Sequence, residues 1–264
     1  MITAVSADGT GVRAFDEGNG PVIVVIHPGL DDGRSWGKVA ARLSGRFRVV
    51  RIVRRHYRLD LPAPAAYSIA REVDDVLALA KAIGEPMVIV GHSSGGVVAL
   101  EVLAASPGTF AGAVLFEPPV AISPPSPAGE DALERARAAA AAGKPGMAMR
   151  IFCRDVVGMP AFSAWLVRPV VAVTPKMRAL APRQLTDLDG VGLRLASYAR
   201  ITIPAVLLGG ERSPAHLGER LDALAAVMPR AEKVTLARCD HSAHLKAPAE
   251  VARVIEDLAG KVLH

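Results

Sequence analysis

Apolar and polar positions repeat along this chain with two different periods. Short runs rich in Val, Ile and Leu appear at ITAVSA (2–7), VRAFDE (12–17), PVIVVIH (21–27), FRVVRIV (47–53), PMVIVGH (86–92), GAVLFEP (112–118), PAVLLGG (204–210) and KVTLARC (233–239). Their length and β-branched content predict eight strands. Helical spacing separates the later ones. REVDDVLALAKAIG (71–84) puts Val73, Val76, Leu77 and Ala80 on one face and stops at a glycine, as a capped helix does. GGVVALEVLAASPG (95–108) and PAHLGERLDALAAVMPR (214–230) follow the same rule, and a last helix follows the eighth run. Nearly continuous apolar strands alternating with helices predict an α/β fold with a mainly parallel eight-stranded sheet covered on both faces.

The alternation stops between 120 and 200. A proline-rich stretch, PVAISPPSPAGE (119–130), leads into EDALERARAAAAAG, PGMAMRIFCRDVVG, PAFSAWLVRPVVAV and TPKMRALAPRQLTDL, which are helical in pattern. The economical division is a core of residues 1–119 and 201–264 with a helical insertion over 120–200. Ligands of such sheets bind outside the carboxyl ends of the strands, so the insertion is expected to act as a cap or lid there.

Composition narrows the class further. Apolar residues make up 51% and charged ones 22%, a globular balance. The apolar stretches are too short to span a bilayer and the N-terminus lacks a signal-peptide pattern. Cys153 and Cys239 form neither a disulfide framework nor a metal-ligand spacing, which together predicts a cytoplasmic protein with no membrane partner. The net charge of +5 comes partly from RFRVVRIVRRHYR (46–58), read as a strand with solvated arginines around it. No aromatic stacking set or binding motif accompanies it, so nucleic acid is not an expected partner. Neither a dinucleotide fingerprint, a P-loop nor a metal-ligand cluster is present, and no cofactor or metal is expected. The oligomeric state stays open, a homodimer included.

Candidate chemistry lies in VIVGHSSGGVVALEVLA. A serine that attacks a carbonyl must project from a sharp strand-to-helix turn, which favours glycine two positions before and after it. Ser93 has Gly91 and Gly95 in those places, whereas Ser94 would have His92 and Gly96. Ser93 is therefore the candidate nucleophile, and the Ser94 N–H at the helix start is an oxyanion donor. A base is also needed, usually a histidine oriented by a carboxylate. His241, just past the eighth run, is the candidate, ahead of His244 one helical turn later.

With this elbow and with HPGLDDGRSW (27–36) directly after the third run, the chain resembles the α/β-hydrolase fold superfamily. The resemblance implies a second oxyanion donor in that loop. Pro28 has no N–H, so Gly29 is expected to supply it, with Leu30 as second choice and His27 as a shaping residue. It also implies the base at His241 and a histidine at position 92 that is not the base; His56, His216 and His264 are read as structural or solvated. The usual acid after the seventh strand is missing: Ser213 stands there in LLGGERSP, with Glu211 two residues early. Glu117, closing the sixth run before Pro118 and Pro119, is the leading candidate; Glu211, Asp240 or no acid are the alternatives. This E-P-P ending looks like a subgroup of bacterial α/β hydrolases lacking the usual aspartate.

The loop after the fourth run departs from the family too. Val53 takes the acidic position, and Arg54, Arg55, His56 and Tyr57 are expected to approach the crevice and favour an anionic or hydrogen-bonding substrate. The implied activity is a serine hydrolase cleaving an ester, thioester or related acyl bond of a small apolar molecule. A cofactor-independent lyase, cyclase or acyltransferase on the same triad, or an inert binding protein, are the alternatives.

Overall fold

A computed structural model describes residues 2–62 and 66–263; His264 lies outside the described residues. Eight strands form one sheet: β1 (Ile2–Val5), β2 (Gly11–Glu17), β3 (Val22–Ile26), β4 (Arg48–Val53), β5 (Met87–His92), β6 (Gly112–Phe116), β7 (Ala205–Gly210) and β8 (Ala231–Leu236). Their order is β1-β2-β4-β3-β5-β6-β7-β8. β1 pairs with β2 and β2 with β4 antiparallel, and every later pairing is parallel. The helices are α1 (Gly37–Leu43), α2 (Ile69–Ile83), α3 (Ser94–Ala105), α4 (Pro127–Ala141), α5 (Pro145–Ile151), α6 (Ala161–Val173), α7 (Pro175–Gln184), α8 (Ala215–Val227), α9 (Ala243–Lys246) and α10 (Pro248–Val262).

Strand alternation sorts the core into two layers. Val24, Ile89, Leu115 and Leu207 meet Val76 and Leu79 of α2, α3, and Leu221 and Leu224 of α8. Ile23, Val25, Val90 and Leu208 point the other way, onto Val39 and Leu43 of α1 and Val251, Ile255 and Leu258 of α10. Both faces of β3, β5 and β6 are fully buried, which is why these strands read as unbroken apolar runs. Helix α2 starts at Ser68, whose side chain accepts the Arg71 N–H, and stops where Gly84 takes φ of 70°.

No strand lies between β6 and β7 among the described residues. Helices α4 to α7, joined by one wide turn at Phe152–Val156, fill that interval and have a third core of their own. Ala136, Ala148, Met149, Cys153, Ala164, Val171, Ala181 and Leu185 make it up. Alanines supply half of it, and these helices approach closely: a Cβ on Gly146 would collide with the Arg168 carbonyl. Burial of Cys153 there pushes its thiol up to about 11. After α7 a short 3-10 segment, Leu195–Arg200, returns the chain to the sheet, with the buried Tyr198 hydroxyl donating to Glu101 at 2.8 Å.

Of the arginines around β4, Arg46 is solvated as the sequence pattern suggested and Arg48 and Arg55 are half-buried, but the rest are not solvated. Arg51, Arg54 and Arg58 are all buried. Arg51 reaches Glu17 and the Gly33 carbonyl, and Arg58 reaches Asp60 and the Gly11 carbonyl. An unpaired guanidinium would be costly to bury; Arg54 is matched by the buried Glu72 and Asp187, and Arg51 and Arg58 by carboxylates nearer the surface.

Candidate active site

Strand β5 runs into α3 through Ser93, which takes φ 53° and ψ −128°. Such a backbone excludes neighbouring β-carbons. A Cβ on Gly91 would stand 2.7 Å from Ala99 Cβ and from the Gly95 carbonyl, and one on Gly95 would collide with the His27 and Ile26 carbonyls. The turn is fastened by the Ser93 N–H, which donates to the Phe116 carbonyl of β6 at 2.9 Å. Ser93 itself is half-buried at the sheet's carboxyl edge.

Glu117 follows β6 directly, with φ of 44°. Its N–H donates to the Leu208 carbonyl, and its buried carboxylate accepts the Gly210 N–H at 2.7 Å through Oε1. The other oxygen, Oε2, lies 2.6 Å from His241 Nδ1. Glu117 thus crosses from β6 to the end of β7. The competing carboxylates are occupied elsewhere: Glu211 accepts the Arg238 N–H at 2.5 Å, and Asp240 accepts the Ser242 N–H and the Lys246 ammonium.

His241 is partly open to solvent, its side chain 34% exposed. Its ring lies 5.9 Å from the Phe116 ring and 4.7 Å from the His92 ring, beside the end of β5 that carries Ser93. His92 donates from Nε2 to the His241 carbonyl at 3.1 Å and holds that loop in place. Burial, with His241 and His244 as neighbours, drives His92 well below the usual histidine range. His244 is buried and stacks on Trp36 at 5.5 Å, and desolvation lowers it to about 4.

The third-strand loop behaves as a shaped backbone. His27 Nδ1 donates to the Pro28 carbonyl at 2.7 Å, while Nε2 accepts the Arg54 N–H at 3.1 Å. Leu30 adopts φ of 56°. Gly29 has no room for a side chain, because a Cβ would collide with Gln184 Oε1 and approach the Tyr57 hydroxyl to 2.9 Å. The N–H groups of Gly29 and of Ser94, the first residue of α3, donate to no protein acceptor among the described residues.

The loop after β4 overturns the expectation of crevice-facing cations. Arg54 is 2% exposed and fully engaged: it donates to Glu72 (2.6 Å), Asp187 (2.7 Å) and Ser94 Oγ (2.7 Å). Tyr57 is buried with its hydroxyl 2.7 Å from Asp187 and 3.0 Å from Gln184. Arg55 pairs with Asp8 and Asp75, and His56 donates to the Arg183 carbonyl. The charges of Arg54 and Arg55 are thus paired with the buried Glu72, Asp187 and Asp75 and the exposed Asp8, so neither presents an unpaired charge to a ligand. Burial alone would lower Arg54 and raise Asp187; their mutual attraction outweighs it, and both stay firmly ionised. The sequence reading missed Glu72, Gln184 and Asp187 as neighbours of the elbow. Asp187 and Gln184 belong to the end of the helical insertion, so that insertion touches both the Ser94 side chain's partner and the Gly29 loop.

Cys239, two residues before His241 with its backbone against Gly210, is half-buried with a free thiol. One feature lies apart from this edge. A concavity of about 1170 Å³ between β8 and α10, lined by Arg230, Leu236, Arg253 and Asp257 among others, shares no residue with the Ser93–His241 edge.

A family model described as the alpha/beta hydrolase family matches residues 23–254. The crystal structure of an alpha/beta hydrolase from Sphaerobacter thermophilus superimposes with a TM-score of 0.82 at 30% identity, over 97% of this chain and 99% of that one. "Lipase LipV" of Mycobacterium tuberculosis is 35% identical over 106 residues, 39% of this chain and 40% of LipV. "Probable oxidoreductase EphD" of Mycobacterium bovis is 36% identical over 104 residues, 37% of this chain and 18% of EphD. The matched region thus spans less than half the length of either curated relative.

Proposed function

The chain belongs to the α/β hydrolase family, and from that premise we propose that it is a serine hydrolase cleaving an ester, thioester or related acyl bond of a small apolar molecule. Ser93 is the nucleophile. His241 takes its proton through Nε2, the nitrogen left over when Nδ1 faces Glu117. Glu117 fixes that tautomer and stabilises the imidazolium as it forms. The developing oxyanion accepts from the Gly29 and Ser94 N–H groups, and His241 then activates the water that releases the acyl group. Helices α4 to α7 act as the cap over this edge and set which acyl chain enters.

One observation carries the reading: the 2.6 Å contact between Glu117 and His241 beside a serine held at positive φ, with two unclaimed N–H groups at the same sheet edge. Hydrolysis is preferred to a lyase or transferase reading because Glu117 stands ready to serve as the acid that the seventh strand lacks, and because the arginines after β4 are paired within the protein. The experiment is labelling with a fluorophosphonate and turnover of p-nitrophenyl esters of graded chain length. Ser93 should carry the adduct, and Ser93→Ala should lose on the order of 10⁴-fold or more in kcat. An unlabelled Ser93, or full turnover in the alanine variant, overturns the reading; product free of oxygen from isotopic water moves it to acyl transfer.

A further inference from the structure

Helix α6 turns an apolar face outward. At about 100° per residue, Phe162, Trp165, Leu166, Val170 and Val173 fall on one stripe. All five are exposed, Phe162 at 72% and Val173 at 77%. The opposite side of the helix carries Ala164 and Val171, which are buried in the cap's own core. Single exposed apolar residues are ordinary, but a continuous helical stripe with two aromatics marks a surface that something covers.

Charge supplies a second and independent observation. Lys144, Arg168 and Arg178 line one concavity of about 360 Å³ that also includes Ala172 of α6, and no carboxylate lines it. None of these three cations has an ion-pair partner among the described residues, whereas arginines elsewhere pair with Asp16, Asp8 and Asp189. The chain contains no Asp or Glu from Val156 to Thr186. On the α6 wheel, Arg168 and Ala172 sit at one border of the apolar stripe, so the cationic concavity flanks it directly.

We propose that this face docks the cap onto an anionic lipid surface. The stripe enters the boundary between headgroups and acyl chains, and Lys144, Arg168 and Arg178 meet the anionic headgroups beside it. No transmembrane span is required for such contact, and no helix among the described residues is long and apolar enough to make one. A second copy of the chain is a poorer occupant. A two-fold contact through the same stripe would bring these unpaired cations toward their own copies with no acidic residue between them.

The full chain is tested by flotation with phosphatidylcholine vesicles and with vesicles of equimolar phosphatidylcholine and phosphatidylserine. Tryptophan fluorescence is followed in parallel. Trp165 reports on the stripe, because the other tryptophan, Trp36, is 1% exposed. The expected result is binding to the mixed vesicles with a blue shift, at least about tenfold tighter than to neutral ones and weakened by salt. Arg168→Gln with Arg178→Gln should cost about twentyfold on the mixed vesicles and little on neutral ones, at an unchanged melting temperature. Phe162→Ser with Val173→Ser should abolish both. Equal affinity for the two vesicle types, no spectral shift, or a solution dimer that Phe162→Ser with Val173→Ser dissociates would each overturn the proposal.

Discussion

Three non-glycine residues with left-handed backbone gather at one place: Leu30, Ser93 and Glu117 end or follow β3, β5 and β6, which are neighbours in the sheet. Each such conformation costs on the order of 1–3 kcal/mol and survives only where the surroundings over-determine it. Around Ser93 those surroundings are Gly91, Gly95 and the Phe116 carbonyl; around Glu117 they are the Leu208 carbonyl and the Gly210 N–H. The turn at Ser93 was legible in the sequence because strand, glycines and helix all lie within a few residues of one another. The partner of His241 was legible only as a short list, since what selects Glu117 is the reach of its side chain across to β7. Glu117→Gln keeps that shape and removes the charge. Ester turnover should fall by about 10³–10⁴-fold in kcat, as expected when an imidazole loses the carboxylate that sets its tautomer, with little loss of melting temperature.

Among the elements, strands and long helices follow from local pattern, and the tertiary pairings do not. The eight apolar runs all became strands, and α2 begins and ends within two residues of its expected limits. Helix α1 carried no usable signal, because seven residues hold barely two turns of periodicity. The arginines around β4 misled for a different reason. Arg54 meets Glu72 and Asp187, which stand 18 and 133 residues away, and nothing local tells a buried pair from a solvated charge. That cluster joins β4, α2, the start of α3 and the segment after α7. Arg54→Met would leave two carboxylates buried without their cation, so denaturant unfolding should report a loss of about 3–5 kcal/mol. Adding Glu72→Gln and Asp187→Asn to the same chain should recover part of it, because neutral side chains no longer need the cation.

At the scale of the molecule, burial of imidazoles links stability to acidity. His27, His92 and His244 are all held below the ordinary histidine value, chiefly by desolvation. For His244, Asp31 and Asp240 pull the other way without reversing the shift. A folded chain that resists protonation is outcompeted by an unfolded one that accepts it, so this stability is complete above about pH 6.5 and is lost as pH falls toward 4. His244 alone should account for on the order of 3 kcal/mol of that loss. Comparing urea midpoints of the wild type and His244→Asn between neutral pH and pH 4 isolates the contribution, and the variant should show the shallower slope.

The site's order along the chain has an engineering consequence. Strained serine, both N–H donors and the carboxylate that meets His241 all precede Pro118, upstream of α4 to α7, and only the imidazole arrives downstream of them. A foreign cap spliced between β6 and β7 would have two conditions to satisfy: β7 and β8 must still return His241 to Glu117, and the new segment must still offer Arg54 a carboxylate in place of Asp187. Under the proposed mechanism, specificity would then be an exchangeable module laid over a fixed sheet edge.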